Sequence, residues 1–227
     1  MSIDLTYQRR YNCDQCPTRC DGRSKSAYIF ADDLQLAHQT EDWLLAHLTT
    51  LLPWQGRKTP ATAHGLPDLE LRYGDQVRAR IEVKAQGRAF MAVERLLPHA
   101  ALRPYETVAL NLSDLERYMA LYEREQIPLF IIWYVRRPCL GAGCWGQTIA
   151  ALRTIYQREG ERRRYRRRST ASDYVNGQHK GVTVNYHFSL RELLPLEELE
   201  QQFARLLGDY AAGTGDCLRQ SGTDHTG

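Results

Sequence analysis

The stretch 66-LPDLELRYGDQVRARIEVKAQ-86 decides how the rest of the chain is interpreted. Apolar and polar residues alternate in it over two runs, 68–73 and 77–86, with Gly74 between them. This alternation is typical of strands that have one face in the core and the other in water. The stretch is therefore predicted to form a two-stranded antiparallel hairpin with a three-residue loop at 74–76, a length that hairpins favour.

The loop sets the register of this predicted hairpin. Carried back along both strands, the register gives the pairs Tyr73–Val77, Leu71–Ala79, Glu70–Arg80, Leu69–Ile81 and Asp68–Glu82. The same register sets Arg72 against Arg78, which is unfavourable because like charges repel across a ladder. A slip of the loop would instead place Asp68 opposite Arg80.

In the first register, two carboxylates face each other at one end of the hairpin. Opposed side chains of an antiparallel pair have Cβ atoms about 4.5–5.5 Å apart, and like charges there are destabilising, so a cation is expected between Asp68 and Glu82. Lys84 lies two residues beyond Glu82 on the same face. Carboxylate oxygens suit Mg²⁺, which keeps waters that substrate phosphates can replace. The alternative is a solvated sheet face with mixed charges, which is the commonest arrangement.

Composition limits the class of protein but does not identify it. The chain has 227 residues, 43% of them hydrophobic, which fits one globular domain with decorations. A net charge of +3 gives no global field for nucleic acid, so any such case rests on local charge. No apolar stretch long enough for a membrane span or a secretory signal is visible, and a cytoplasmic location with reduced thiols is therefore expected.

Periodic patterns predict the elements around the hairpin. Spacings of three and four indicate an amphipathic helix over about 32–52, with Asp32 or Asp33 as its cap. A second helix is predicted from Ser113 or Asp114, and the apolar run IPLFIIWYV at 127–135 is typical of a strand buried on both faces. The predicted core order is helix, strand, strand, helix, strand.

The rest of the chain is divided by composition. We predict a Cys-rich N-terminal segment at 1–26, a core at 27–144, an extension at 145–210 and a disordered tail at 211–227. Within the extension, helices are predicted near 146–158 and over 195–210, with an alternating strand at 181–188 between them.

The hairpin residues also resemble a known motif. Pro67 and Asp68, then thirteen residues, then Glu82, Val83 and Lys84 are similar to the PD-(D/E)xK motif of the restriction-endonuclease-like nuclease superfamily. The resemblance covers roughly residues 30–136 and includes the order of the surrounding elements. It implies an α/β fold in which a mixed central sheet is flanked by helices.

The resemblance assigns roles at the hairpin. Asp68 and Glu82 would bind Mg²⁺ or Mn²⁺ with help from the Val83 carbonyl, and Lys84 would position or activate the attacking water. Phosphodiester hydrolysis needs charge neutralised on the phosphate and a water deprotonated near neutral pH, and a divalent ion supplies both effects.

Two further residues enter through the resemblance alone. Glu41, on the first predicted helix, matches the helical Glu that touches the metal site in this superfamily. Gln86 matches a polar residue that some branches carry just past the Lys. The alternative for both is a structural or solvated side chain.

The cysteines predict a second metal site. CxxC followed by a third nearby Cys is a metal-binding pattern, and two more cysteines follow the buried strand. Four of these five would form the site: Cys13, Cys16, Cys20, Cys139 and Cys144. It would attach the N-terminal segment to the core as a Zn²⁺ or iron–sulfur staple, with free thiols as the alternative. Cys217 is expected to take no part.

The run RRRYRRR at 162–168 concentrates basic charge. Its six arginines are candidates for phosphate contacts, and its tyrosine for stacking on a base. The residues are Arg162, Arg163, Arg164, Tyr165, Arg166, Arg167 and Arg168. The alternative is a solvated loop.

The sequence therefore predicts a metal-dependent nuclease with nucleic acid, expected to be DNA, as its partner. A non-catalytic, metal-stapled nucleic-acid-binding protein is the alternative from another class. A nuclease subunit of a transposition, repair or defence assembly, inactive alone, is a third.

Overall fold

The computed structural model describes residues 30–51, 54–60, 62–87, 89–137, 140–166, 174–175, 178–179 and 182–205. Its helices are α1 (Phe30–Leu51), α2 (Val93–Leu96), α3 (Leu112–Glu125), α4 (Ile149–Glu159) and α5 (196–205). Its strands are β1 (Gln55–Lys58), β2 (Leu69–Tyr73), β3 (Gln76–Gln86), β4 (Thr107–Asn111), β5 (Leu129–Arg137), β6 (Gly141–Thr148), β7 (Arg164–Arg166), β8 (Tyr174–Val175), β9 (Gln178–His179), β10 (Val184–Ser189) and β11 (Leu194–Pro195).

A six-stranded mixed sheet forms the centre of the molecule, in the order β1-β2-β3-β5-β6-β11. Strands β3 and β5 are parallel, and the other neighbours are antiparallel. The prediction of a mixed central sheet flanked by helices is confirmed.

Strand β5 is buried on both faces, as its continuous apolar run predicts. Ile131 and Trp133 join one hydrophobic cluster, which contains the buried residues of α3 and α4. Phe130 and Ile132 join the other cluster, with residues of α1 and α5. The central sheet therefore separates two apolar layers, and the hairpin β2–β3 lies beside the strand that anchors both.

The hairpin differs from its predicted loop. Only Gly74 and Asp75 form the turn, and Tyr73 pairs with Gln76 instead of Val77. Gly74 has φ +56°, the left-handed conformation that two-residue hairpin turns require. The register then shifts between Leu71 and Arg72, so the remaining predicted pairs are restored from Leu71–Ala79 onward.

This irregularity also removes the predicted clash of two arginines. Arg72 pairs with Val77, so it does not face Arg78 across the ladder. A bulge that leaves one extra residue unpaired is a standard way for a strand to correct its register. The expected opposition of Arg72 to Arg78 was therefore wrong, and its cost does not arise.

Other element boundaries shift. The α3 helix begins one residue before the predicted caps, with Asn111 at the N-cap. The α4 helix begins at Ile149, because β6 extends through Thr148, whose hydroxyl accepts a hydrogen bond from the Ala151 N–H at 3.2 Å. Seven of the described strands were not predicted: β1, β4, β6, β7, β8, β9 and β11.

A second sheet, in the order β4-β10-β7, packs beside α3. It joins a strand from the predicted core to two strands from the predicted extension, while β11 of the extension completes the central sheet. Both sheets thus cross the boundary predicted between residues 144 and 145. In the part of the chain that the structure describes, no helix has the length and apolarity needed to span a membrane.

Candidate active site

Asp68 and Glu82 lie together at one end of the hairpin. Asp68 immediately precedes β2, and the pair Leu69–Ile81 that follows it places it across from Glu82. The Val83 N–H donates a hydrogen bond to Asp68 Oδ2 at 2.8 Å. The Asp68 carboxyl is also within hydrogen-bonding reach of the Glu82 carboxyl. The predicted pair of facing carboxyl groups is present.

Glu82 is held on both of its oxygens. Its side chain is only 5% exposed. Oε1 accepts a hydrogen bond from Lys84 Nζ, and Oε2 accepts one from the Tyr118 hydroxyl at 2.5 Å. Because one contact comes from β3 and the other from α3, the orientation of the carboxylate depends on the packing of α3 against the sheet.

Burial raises the pKa of both carboxyl groups above the usual range. For Asp68, the Val83 N–H and the Lys84 ammonium oppose this rise, while the Glu41 carboxylate adds to it. For Glu82, Lys84 opposes the rise and the Asp68 carboxylate adds to it. Two neighbouring carboxyl groups with raised pKa values form an environment that favours a bound cation, because the cation stabilises their ionised forms.

Lys84 is the cation of this cluster. Burial lowers its pKa, but the carboxylates of Glu82, Asp68 and Asp114 outweigh that effect and raise the pKa above the usual value. Asp114 Oδ2 on α3 lies 3.9 Å from Lys84 Nζ. Lys84 is therefore an ammonium ion at neutral pH, placed between three carboxyl groups.

The opposite end of the same polar face is structural. Glu70, which is buried, contacts three arginines, at 2.5 Å from Arg80, 2.8 Å from Arg57 and 3.3 Å from Arg72. There, positive charge outnumbers negative charge. Around Lys84, three carboxyl groups face one ammonium group, so among these groups negative charge is in excess.

Glu41 lies next to the cluster, across a cleft of about 550 Å³ whose lining includes Asp68. Its carboxylate is 3.1 Å from Lys58 Nζ, which also lies 2.8 Å from Asp42. The predicted helical Glu is thus close enough to influence Asp68 but is paired with a lysine of β1.

Gln86 is bound to the backbone of β4. Its Nε2 donates to the Ala109 carbonyl at 2.8 Å, and its Oε1 accepts from the Ala109 N–H at 3.1 Å. Both ends of the amide therefore link β3 to the backbone of β4. This pairing is the structural alternative considered for Gln86.

The donor set fits a hard divalent cation. Among the residues that the structure describes, no group of three or more His, Cys, Asp or Glu side chains is placed to hold a metal. Two carboxylates are available, from Asp68 and Glu82, and Mg²⁺ is typically bound through one or two carboxylates plus waters and substrate phosphates. The two facing carboxyl groups, Glu82 buried and Asp68 partly exposed towards the cleft, thus match what such an ion requires.

Two of the site residues were missed by the sequence analysis. Tyr118 was not singled out, and Asp114 was considered only as a possible start of the helix. They are four residues apart and therefore lie on the same face of α3. A polar pair on the helix between two core strands was the signal that could have identified them.

The basic run is divided between buried and exposed positions. Arg163 is 5% exposed and pairs with Glu192 at 2.5 Å and Glu159 at 3.6 Å, so it stabilises the fold and is not available to a phosphate. Arg162 is exposed and pairs with Glu159 at 3.4 Å. Arg166 is exposed as well.

The centre of the run packs against its surroundings. Arg164 lies over the Tyr156 ring at 5.5 Å, and Tyr165 packs against Phe90 with ring centroids 5.1 Å apart. The predicted stacking of Tyr165 on a base would have to disturb that contact. Arg167 and Arg168 lie outside the described residues.

Most of the predicted thiolate site also lies outside the described residues. This applies to Cys13, Cys16, Cys20 and Cys139, as well as to Cys217. Cys144 is buried in the apolar cluster between the sheet and α5, and burial with the nearby Glu197 raises the pKa of its thiol to about 12. Its surroundings are those of a core residue.

Comparisons with known proteins give distant structural likenesses. No family model and no curated protein matches the chain. The chain is similar to Archaeoglobus fulgidus Hjc, a Holliday junction resolvase, with 12% identity and a TM-score of 0.40 over 73% of this chain and 95% of that one. It is also similar to D212, a nuclease from a fusselovirus, with 13% identity and a TM-score of 0.46 over 81% and 99% of the two chains. Both TM-scores are below 0.5, so the function of this chain is inferred from its own residues.

Proposed function

We propose that the protein is a metal-dependent nuclease that hydrolyses phosphodiester bonds, with DNA as its expected substrate. One observation carries this proposal. The partly buried carboxyl group of Asp68 lies beside the buried carboxyl group of Glu82, which contacts the Lys84 ammonium. Burying two like charges together costs stability, and such an arrangement is explained when a cation and a phosphate complete it.

Asp68 and Glu82 would hold Mg²⁺ or Mn²⁺, with the Val83 carbonyl as a third candidate ligand. When bound, the ion would lower the pKa of a water and neutralise charge on the phosphate. The protein fixes the two carboxylates in advance. The Val83 N–H orients Asp68 and the Tyr118 hydroxyl orients Glu82, so neither side chain has to be ordered when the ion binds.

Lys84 would act as a cation. In the metal-free protein its raised pKa keeps it protonated at neutral pH. Its ammonium group would stabilise the negative charge that develops on the phosphate oxygens in the transition state.

The test is incubation with single-stranded, duplex and branched DNA and with RNA, in Mg²⁺, Mn²⁺ or EDTA. We expect cleavage that requires a divalent ion and is lost in Lys84→Ala. Arg57→Gln is the matched control, since it removes one positive charge from the same sheet at an exposed position paired with Glu70. Cleavage that persists in Lys84→Ala, or metal-independent cleavage, would refute the proposed site.

The same panel separates the alternatives. Binding without cleavage under every condition would favour the non-catalytic nucleic-acid-binding protein. Cleavage that appears only when candidate partner proteins are added would favour a subunit of a larger assembly.

A further inference from the structure

We infer that Arg117 forms a phosphate-binding subsite with the loop around Gly65, at the rim of the cluster formed by Asp68, Glu82 and Lys84. The ligand would be a backbone phosphate of the bound strand next to the one that is cleaved. This inference rests on the proposed function. It adds a substrate contact on α3 that neither the motif nor the basic run predicts.

Arg117 lies beside the loop that leads to Asp68. A Cβ added at Gly65 would lie 3.4 Å from Arg117 Cδ and 3.8 Å from its Nε. Gly65 has φ +85° and lines the 550 Å³ cleft together with Asp68. The arginine therefore lies between α3 and the cleft loop, close to where a strand must pass to reach the carboxylates.

The guanidinium is oriented before any ligand arrives. It lies over the Tyr118 ring, 4.8 Å from its centroid, and Nη2 donates to the Tyr118 hydroxyl at 3.2 Å. The same hydroxyl donates to Glu82. Arg117 is thus one hydrogen-bonded residue away from the proposed metal-binding carboxylate, and its position is coupled to the geometry of the site.

The guanidinium also retains capacity for a ligand. Its side chain is 42% exposed, and its ion pair with Asp114, at 2.8 Å, uses Nη2 again. Within the described residues no hydrogen-bond partner contacts Nη1. Exposed ion pairs between residues three apart on a helix contribute little stability, so exchange of this contact for a phosphate is inexpensive.

The chemistry of the group favours a phosphate over other anions of the substrate. Arginine presents a planar fork of donors that matches two phosphate oxygens. The other cation at the cleft, Lys58, is already paired with Glu41 at 3.1 Å and with Asp42 at 2.8 Å. Arg117 has one carboxylate partner, and that partner, Asp114, is shared with Lys84. Of the two, Arg117 is better placed to accept a phosphate.

The test measures binding without cleavage. Fluorescence polarisation of labelled single-stranded and duplex DNA is followed in EDTA over a range of salt concentrations, for the wild-type protein, Arg117→Gln and Arg124→Gln. Arg124 is the matched control because it lies two turns further along α3, is 68% exposed and pairs with Glu125 at 3.0 Å. Melting temperatures should be unchanged in both variants.

We expect Arg117→Gln to flatten the slope of log K against log salt by about 0.7–0.9, the value for one phosphate contact, while Arg124→Gln leaves it unchanged. Equal slopes for both variants, or no DNA binding by the wild-type protein, would overturn the inference. Wild-type cleavage in Mg²⁺ is scored separately. If the wild-type protein cleaves DNA but Arg117→Gln leaves the salt slope unchanged, the subsite is refuted and the proposed nuclease stands. If Arg117→Gln flattens the slope but the wild-type protein does not cleave, the subsite stands and the proposed nuclease is refuted.

Discussion

The Tyr118 hydroxyl donates a hydrogen bond of 2.5 Å to Glu82 Oε2, joining α3 to the middle of β3. Tyr118 and Glu82 are both buried, and burial together with the Glu82 carboxylate raises the pKa of Tyr118 far above its usual value. The phenol therefore stays protonated at neutral pH and remains a donor. Glu82 accordingly keeps one oxygen fixed while the other contacts Lys84.

Tyr118→Phe is expected to lower both activity and stability. It leaves a buried carboxylate oxygen without its donor, a loss of about 1–3 kcal/mol, and it frees Glu82 to rotate. We expect kcat to fall at least about tenfold, which corresponds to about 1.4 kcal/mol. Urea unfolding and cleavage at saturating Mg²⁺ check both effects. Tyr122→Phe, one turn further along α3, is the control, and an equal loss in both variants would contradict a specific role for Tyr118.

The hairpin shows how far the sequence predicts the site. Alternation fixed the pairs Leu69–Ile81 and Glu70–Arg80, and with them the approach of Asp68 to Glu82, although the predicted loop was one residue too long. Register depends on which face is apolar, and the bulge absorbed the error in the loop. The local pattern was therefore sufficient for the carboxylates.

Side chains that depend on distant packing could not be predicted in this way. Gln86 follows the motif by two residues, yet its amide is engaged by the backbone of β4, a strand with no periodic signal of its own. Arg163 lies in a run that reads as solvated, but Glu159 and Glu192 enclose it. Such contacts arise from the way the two sheets pack, which one sequence does not reveal.

Asp68→Asn is expected to abolish cleavage without weakening the fold. Burial raises the pKa of Asp68, so its ionised form is the less stable one in the folded protein. Asn removes that charge and can still accept the hydrogen bond from the Val83 N–H. Thermal unfolding at pH 7 should give an equal or higher midpoint. Asp75→Asn, in the exposed turn of the same hairpin, is the control that should retain activity.

Glu82→Gln should also abolish cleavage, but its effect on stability is predicted to differ. The substitution removes the main carboxylate partner of Lys84, whose ammonium is largely buried. We therefore expect Glu82→Gln to be less stable than Asp68→Asn at neutral pH, because an uncompensated buried charge is costly. Equal unfolding midpoints for the two variants would show that Asp114 alone can balance Lys84.

We expect the buried His187 to make the folded protein less stable in mild acid. Burial lowers its pKa from 6.5 to about 4, so the folded protein keeps the imidazole neutral while the unfolded chain protonates it. The neutral His187 imidazole contributes its full share of the free energy of unfolding above pH 6.5. This share, about 3 kcal/mol, is lost as the pH falls towards about 4. Urea unfolding from pH 7 to pH 4 measures it. His187→Asn should lose less stability over this range than the wild-type protein, whereas the exposed His99→Asn should match the wild type.

The thiols give a prediction about metal content. Cys144 packs among apolar residues of β3, β5 and α5, so we expect the structural site to use Cys13, Cys16, Cys20 and Cys139. Protein purified without chelator should contain zinc or an iron–sulfur chromophore. Cys16→Ser should reduce the metal content and the melting temperature, because metal binding contributes to folding. Cys144→Ser should leave the metal in place. Wild-type protein that contains no metal would contradict the predicted thiolate site.

The basic run is expected to separate into residues that stabilise the fold and residues that bind the strand. Arg163 is enclosed by Glu159 and Glu192, and removing one partner of a buried ion pair typically costs about 3–5 kcal/mol, so Arg163→Gln should lower the free energy of unfolding markedly. Arg166 is exposed at the end of β7, and Arg166→Gln should leave stability unchanged. If Arg166 contacts a phosphate, its loss flattens the salt dependence of DNA binding by about 0.7–0.9 without changing the cleavage rate at saturating DNA. A slope unaltered in Arg166→Gln would identify its side chain as solvated surface, and a reduced rate at saturation would place β7 inside the active site.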